Sequence, residues 1–244
     1  MGKIHKINKN HNTHTHIACF VLSSCLFVSA GFAEQSGAFI GVEVGYGGTE
    51  FQLKNSLDPQ RSRTLKSGGV NYGITAGYKH FFNAYLGLRA YGNFNVLHTE
   101  FRADGVTIET DLLNYGVNVD FLGNFLSKQM VDFGGFVGVG LGGNTWQGKD
   151  INDLIARYRQ QTNALVAQVP NLQTHFGKNS FDVALNVGLR TNIAKHHGIE
   201  VVAKVPFLAT NIATLKGSVD IESFEIQNVI KHTWNLNARY TFSF

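Results

Sequence analysis

The sequence is nearly free of cysteine and has no long hydrophobic run. Its only two cysteines are Cys19 and Cys25, so a chain without its first 33 residues has no thiol with which to form a disulfide. The longest apolar run is the 12-residue stretch "IACFVLSSCLFV", whereas a membrane-spanning helix needs about 20 residues. These absences argue against a disulfide scaffold and against a bundle of transmembrane helices.

The N-terminal segment is typical of an exported protein. Basic residues precede the apolar run, and small residues of "VSAGFA" precede the Ala33–Glu34 bond. This pattern predicts a signal peptide over 1–33 and a mature protein over 34–244. Two alternatives are a buried N-terminal helix and lipidation at Cys25, where "LSSC" resembles a lipoprotein cleavage box, although the apolar run continues beyond that cysteine.

The mature chain carries almost no net charge. The whole sequence has 21 Lys and Arg against 17 Asp and Glu, and three of the lysines lie in the predicted leader. The mature balance is therefore 18 − 17, or +1. So small an excess of basic residues argues against nucleic acid as a partner.

The mature sequence alternates apolar and polar residues over long stretches. In a strand this period of two places alternate side chains on opposite faces, one apolar and one polar. The C-terminal "HTWNLNARYTFSF" alternates cleanly, and seven earlier segments do the same: "AFIGVEVGY", "VNYGITAGYK", "LGLRAYGNFNV", "LNYGVNVDF", "VDFGGFVGVGL", "FDVALNVGLR" and "IEVVAKVPF". Eight strands are therefore predicted.

The links between these strands alternate in length. The long ones are 47–68, 97–110, 142–179 and 208–227, and the short ones are 80–84, 122–129 and 192–198. Outer-membrane barrels have short periplasmic turns and long external loops. We therefore predict an all-β fold, an eight-stranded antiparallel up-and-down transmembrane β-barrel with both termini periplasmic and outer-membrane lipid around it. Since hydrocarbon excludes an open sheet edge, the first strand must pair with the last.

Aromatic residues on the apolar face fall into two predicted belts, as expected at membrane interfaces. The outer belt is Tyr46, Tyr72, Phe94, Phe181 and Phe207, and the inner belt is Tyr78, Phe121, Phe133, Phe242 and Phe244. The terminal set Tyr240, Phe242 and Phe244 also resembles the C-terminal signal that the barrel-assembly machinery recognises.

The predicted interior contains equal numbers of acids and bases. They are Glu43, Asp120, Asp132, Asp182 and Glu200, with Lys79, Arg89, Arg190, Lys204 and Arg239. An eight-stranded barrel is just wide enough for side chains to fill, and buried charges must pair. A structural salt-bridge plug is one interpretation. A narrow path for ions or solutes is the other, since inward glycines leave unfilled volume.

The 142–179 link contains a predicted amphipathic helix, with Asp150 as a candidate N-cap and Pro170 as a stop. Its apolar stripe comprises Ile151, Leu154, Ile155, Tyr158, Leu165, Val166 and Val169. The stripe could pack across the barrel mouth, or it could dock onto a partner protein or host surface.

No motif indicates an enzyme, a cofactor site or a metal site. His196 and His197 fall in a short turn, His98 and His175 lie in long links without a nucleophile nearby, and His232 has the parity of the lipid-facing side. We predict a protein without catalytic activity.

Several stretches resemble the Helicobacter outer-membrane protein family of Hop-type porins and adhesins. They are "GYKHFFN", "LGLRAYGNFN", "NYGVNVDFLGNF", "GGFVGVGLGGNTW", "LNVGLRTNIAKHHGIEVVAKVPF" and the ending "NARYTFSF". The resemblance implies an integral outer-membrane barrel with a structural, surface-exposed or narrow porin-like role. Surface adhesion or partner binding through external loops, chiefly 142–179, is the alternative. The large exposed domain of the big adhesins has no counterpart here, so their receptor binding is not implied.

Overall fold

A computed structural model describes residues 35–103, 105–128, 130–166, 171–219 and 222–244, so the predicted signal peptide lies outside the described residues. These residues form one antiparallel sheet and one helix. The elements are β1 Gly37–Asn55, β2 Arg63–Phe81, β3 Leu86–Ala103, β4 Val106–Ser127, β5 Val131–Gln147, α1 Lys149–Val166, β6 Gln173–Phe176, β7 Asn179–Ile193, β8 His197–Pro206, β9 Ala209–Val219 and β10 Glu222–Ser243. A short 3-10 turn, Pro59–Arg61, joins β1 to β2.

The sheet closes on itself as a barrel. Eight strands form the ring in the order β1-β2-β3-β4-β5-β7-β8-β10, and β10 pairs with β1 from Phe39–Ser243 onward. This closure confirms the predicted eight-stranded antiparallel barrel. Among the described residues, no helix is long and apolar enough to cross a bilayer.

The two additional strands belong to the upper part of the barrel. β8 and β9 act as two halves of one strand, because both pair with β10, through residues 235–242 and 222–231 respectively. The break follows Pro206, which has no N–H to continue a ladder. β6 adds to the free side of β9.

The strands are far longer than a bilayer requires. β4 and β10 each have 22 residues, whereas a transmembrane strand needs about 9–11. Much of the predicted long links 47–68, 97–110 and 208–227 is therefore strand rather than loop, and the prediction of long loops there was wrong. In the 142–179 link, α1 and β6 are the ordered elements.

The outward face changes character part-way along the strands. On β1 it presents Ile40, Val42, Val44 and Tyr46, each more than half exposed. Farther from the termini the same face presents Glu50, Gln52 and Lys54. On β4 it runs from Val117 and Tyr115 to Asp111 and Glu109. We call the part with the apolar exterior the membrane section and the part beyond it the outer section.

The inward face makes the opposite change at the same level. On β3 the membrane section places Arg89, Asn93 and Asn95 inside, and the outer section places Leu97 and Phe101 inside. The buried apolar residues of the outer section form one cluster, which we call the apical core: Phe51, Leu97, Phe101, Leu112, Trp146, Ile151, Ile155, Ile212 and Ile230. This core explains why the strands continue beyond the bilayer.

A β-bulge separates the two sections on β10. Gly48 pairs with Trp234 but Thr49 pairs with His232, so Thr233 is an extra residue. One extra residue reverses the parity of everything beyond it. His232 therefore points inward and is buried, with Nε2 at 2.7 Å from Asn235 Oδ1. The prediction that His232 faces lipid was wrong for this reason.

The two sections predict different responses to a new charge on one strand. V117R places a cation on the lipid-facing side of β4, where Val117 is 66% exposed, and we expect a loss of about 2–4 kcal/mol in unfolding free energy. T107R is the matched control, on the same strand and face in the outer section, and we expect a change within about 0.5 kcal/mol. Urea unfolding in lipid vesicles measures both; equal effects would contradict the assignment of the sections.

Candidate functional site: the barrel interior and its outer closure

Five charged side chains form a continuous chain across the membrane section. Arg89 Nη2 lies 2.7 Å from Asp120 Oδ2, and Arg89 Nη1 lies 2.5 Å from Glu200 Oε1. Arg239 joins Glu200 to Glu43, at 3.4 Å and 2.6 Å respectively. Acids and bases alternate along this charge chain, and all five side chains are buried. It connects β4, β3, β8, β10 and β1 through the interior.

Aromatic rings fill the space around the two arginines. The Tyr91 ring lies between them, with its centroid 5.0 Å from the Arg89 guanidinium carbon and 5.1 Å from that of Arg239. Phe136, an inward exception to the alternation of β5, lies 4.7 Å from Arg89. A guanidinium over a ring is attracted by the ring quadrupole. The arginines are thereby fixed in position as well as neutralised.

The other five predicted interior charges also point inward but lie outside this chain. Toward the termini, Arg190 donates to Asn124 Oδ1 at 3.1 Å, and its guanidinium carbon lies 5.4 Å from the centroid of the Phe81 ring. Asp132 accepts from a serine hydroxyl at 2.6 Å. Lys79 is buried at the same end. Toward the outer section lie Asp182 and Lys204, whose ammonium donates to an asparagine at 2.9 Å.

Buried asparagines fill much of the remaining interior, a role that was not predicted from the sequence. Asn118 donates to Asn93 at 2.7 Å, Asn186 to Asn118 at 3.0 Å, and Asn114 to Asn144 at 2.7 Å. An amide donates and accepts at once, so it can extend a network without adding charge. Their inward parity, the same as that of the charged residues, was the signal that could have revealed them.

Little space is left within this network. A cavity of about 10 Å³ lies among Asn93, Asn114, Asn118, Asp182 and Lys204. That is roughly the space for one water molecule. The polar interior is therefore packed by side chains rather than open as a channel at this level.

The apical core closes the outer end of the barrel. Trp146 and Leu112 are fully buried in it, and the Trp146 indole donates to Thr210 Oγ1 at 3.1 Å. α1 contributes Ile151 and Ile155, with Leu154 packed against them. This part of the apolar stripe therefore packs across the barrel mouth, which is the first of the two alternatives considered for the helix.

The rest of the predicted helix stripe is less buried. Tyr158 is half-buried, and burial raises the pKa of its hydroxyl. Val166 is exposed, and the side chain of Leu165 and residues 167–170 lie outside the described residues. Asp150 is in the first turn of α1 rather than at its N-cap, because the helix already begins after Gly148; its carboxylate accepts from the Glu109 amide at 2.9 Å.

The three predicted assembly residues lie together on the outward face near the termini. His197 Nδ1 is 2.7 Å from the Tyr240 hydroxyl, and the ring of Phe242 stacks on His196. Phe244 is exposed, and its amide donates to the Ala38 carbonyl at 3.0 Å. The histidine pair thus packs against the terminal aromatics. Within the described part of the chain, no group of three His, Cys, Asp or Glu is placed to hold a metal ion.

One outward cross-strand group also escaped the sequence analysis. His98 pairs directly with Asp111 across β3 and β4, its Nδ1 hydrogen-bonded to the carboxylate, and its Nε2 lies 3.1 Å from the Tyr72 hydroxyl. The group lies where the apolar exterior gives way to the polar one. The register of the β3–β4 hairpin brings His98 and Asp111 together. This pairing cannot be recognised from the sequence unless the register is known.

The sequence of this barrel matches a known protein family. A family model described as "Helicobacter outer membrane protein" matches residues 73–244. The chain belongs to the Helicobacter outer membrane protein family. It is therefore an outer-membrane β-barrel in contact with membrane lipid. No curated protein sequence matches it.

Solved outer-membrane proteins are similar to this chain at low sequence identity. The outer membrane protein OprG from Pseudomonas aeruginosa is 14% identical, with a TM-score of 0.51 over 87% of this chain and 98% of that one. The outer membrane protein AlkL is 12% identical, with a TM-score of 0.45 over 98% of both chains. Neisserial surface protein A is 14% identical, with a TM-score of 0.42 over 86% of this chain and 98% of that one. At such identities the OprG likeness shows the fold alone.

The charge chain predicts a large cost for removing one of its links. R89L leaves Asp120 and Glu200 without their shared partner, and we expect about 3–5 kcal/mol of destabilisation. R102L is the matched control, since it breaks an ion pair with Glu100 on the exposed face of the same strand; we expect less than about 1 kcal/mol. Urea unfolding in vesicles measures both. A small effect of R89L would show that the chain does not hold the barrel together.

Proposed function

We propose that this protein is a closed barrel with a structural and surface-exposed role, which anchors its outer section on the cell exterior. The observation that carries this proposal is closure at two levels. The charge chain crosses the membrane section, and the apical core fills the outer section. A solute would have to break buried ion pairs and also displace a packed apolar cluster. A narrow porin-like role is therefore the weaker candidate.

The same closure favours a role without catalysis. Each acid and base of the charge chain is paired with at least one side chain of opposite charge. The apical core separates them from any substrate arriving from outside. We therefore expect no catalytic step in the interior.

The proposed orientation places both termini in the periplasm. The start of β1 and the end of β10 lie at the same end of the barrel as the short connections after β2, β4 and β7. Segment 1–33 would direct export and then be removed. Tyr240, Phe242 and Phe244 would present the assembly signal to the barrel-assembly machinery from the outward face of the closing strand.

Planar bilayer recording tests closure directly. For the purified mature protein we expect no reproducible conductance steps, whereas a known outer-membrane porin in the same bilayers gives them. Replacing 149–166 by a short Gly–Ser linker removes the helical part of the apical core. We expect this variant to stay silent, because the charge chain still crosses the lumen.

Stepwise conductance of the unmodified protein that changes on R89Q would contradict the proposal. Folded barrels show a heat-dependent shift in gel mobility, and this shift identifies correctly folded preparations. Absence of conductance is interpreted only for those preparations.

A further inference from the structure

A cleft opens on the exterior of the outer section, between α1 and β6. Its volume is about 760 Å³, within the range of about 300–1,000 Å³ typical of small-molecule sites. The side chains that matter here are Asn152, Arg159, Gln160, Asn163, Phe176 and Lys178. None of them takes part in the charge chain, and Phe176 packs against the apical core from its outer side.

The cleft carries two cations that have no acidic partner. The Arg159 guanidinium lies over the Phe176 ring, 5.5 Å from its centroid. The Lys178 ammonium has a long contact of 3.4 Å to Asn152 Oδ1. Among the described residues no carboxylate pairs with either cation, and none lines the cleft. By contrast, Lys149 on the same helix pairs with Asp153 at 2.5 Å. The cleft therefore has a positive charge that no described side chain neutralises.

The arrangement of Arg159 leaves its donors available. Its guanidinium carbon lies over the Phe176 ring, and the contact with the ring does not use up the N–H donors of the guanidinium. Such a planar fork fits two oxygens of a carboxylate or sulfate. The ring also restricts the side chain, so less conformational entropy is lost when a ligand binds.

The remaining lining suits a ligand with many hydroxyl groups. The carboxamides of Asn152, Gln160 and Asn163 are exposed and can each donate and accept hydrogen bonds. Ile155 and Phe176 provide an apolar surface beneath them. Cations, amides and an apolar floor together match a ligand that combines an oxyanion with a hydroxylated framework.

We propose that this cleft binds an oxyanion group, sulfate or carboxylate, carried on a hydroxyl-rich ligand. Arg159 and Lys178 contact the oxyanion, and the carboxamides contact the hydroxyl groups. The biological use of the cleft rests on the proposed display of the outer section outside the cell. The binding itself can be measured on purified protein and does not depend on orientation.

The experiment uses the mature protein in detergent micelles with dextran sulfate, neutral dextran of the same length and inorganic sulfate as probes. Isothermal titration calorimetry measures affinity for R159Q, K178Q and R157Q. Arg157 is the matched control, exposed on the same helix and carrying the same charge, but absent from the cleft lining. We expect R159Q and K178Q each to weaken binding of dextran sulfate by about tenfold, as for loss of a charged hydrogen bond, and R157Q by less than about twofold.

A competition experiment distinguishes recognition of free sulfate from recognition of sulfate attached to a polysaccharide. Displacement of dextran sulfate by millimolar inorganic sulfate supports recognition of the oxyanion itself. Equal losses in all three variants would reveal general charge attraction and overturn the proposal. Equal binding of neutral dextran, or no binding at all by a folded preparation, would also overturn it. If the barrel is closed, bilayer recordings of the same variants show no conductance whether or not the cleft binds the probes. A cleft that does not bind them would therefore leave the proposed function intact.

Discussion

The solvent around the barrel changes from hydrocarbon to water part-way along its strands, and the rest of the structure depends on this change. In hydrocarbon the outward face must be apolar and every backbone group must be paired, which requires a closed ring. Above the bilayer the outward face must be polar, so the apolar residues move inside. β1 shows both states on one face, with Val42 and Val44 below and Glu50 and Lys54 above. The apical core is the interior counterpart of that exchange.

The two interiors have different functional consequences. In the membrane section the inward residues are polar, and Arg89 and Arg239 form ion pairs with three acidic partners. In the outer section the apolar core gives the extended strands a buried interior, into which α1 packs through Ile151 and Ile155. The proposed role in display rather than transport rests on these two filled interiors.

The barrel and the inward charges could be predicted from the sequence, because in a strand without bulges a period of two assigns each residue to a face. The pairing of the charges could not, since it depends on strand register and on the stagger around the ring; Arg89 meets Glu200 across 111 positions of sequence. His232 was misassigned because a bulge at Thr233 is invisible to a parity count. The outer strands were taken for loops because their alternation reverses sense, with Phe51 and Phe101 inside rather than outside.

The reversal of both faces can be followed by spin-label accessibility along β4. The described chain has no cysteine, so nitroxides can be attached one at a time to single cysteines at outward positions 119, 117, 111 and 107 and at inward position 112. In vesicles we predict that labels at 119 and 117 contact lipid-dissolved oxygen, that labels at 111 and 107 contact a water-soluble nickel chelate, and that the label at 112 contacts neither. Lipid contact extending to 107, or chelate access at 112, would contradict the account.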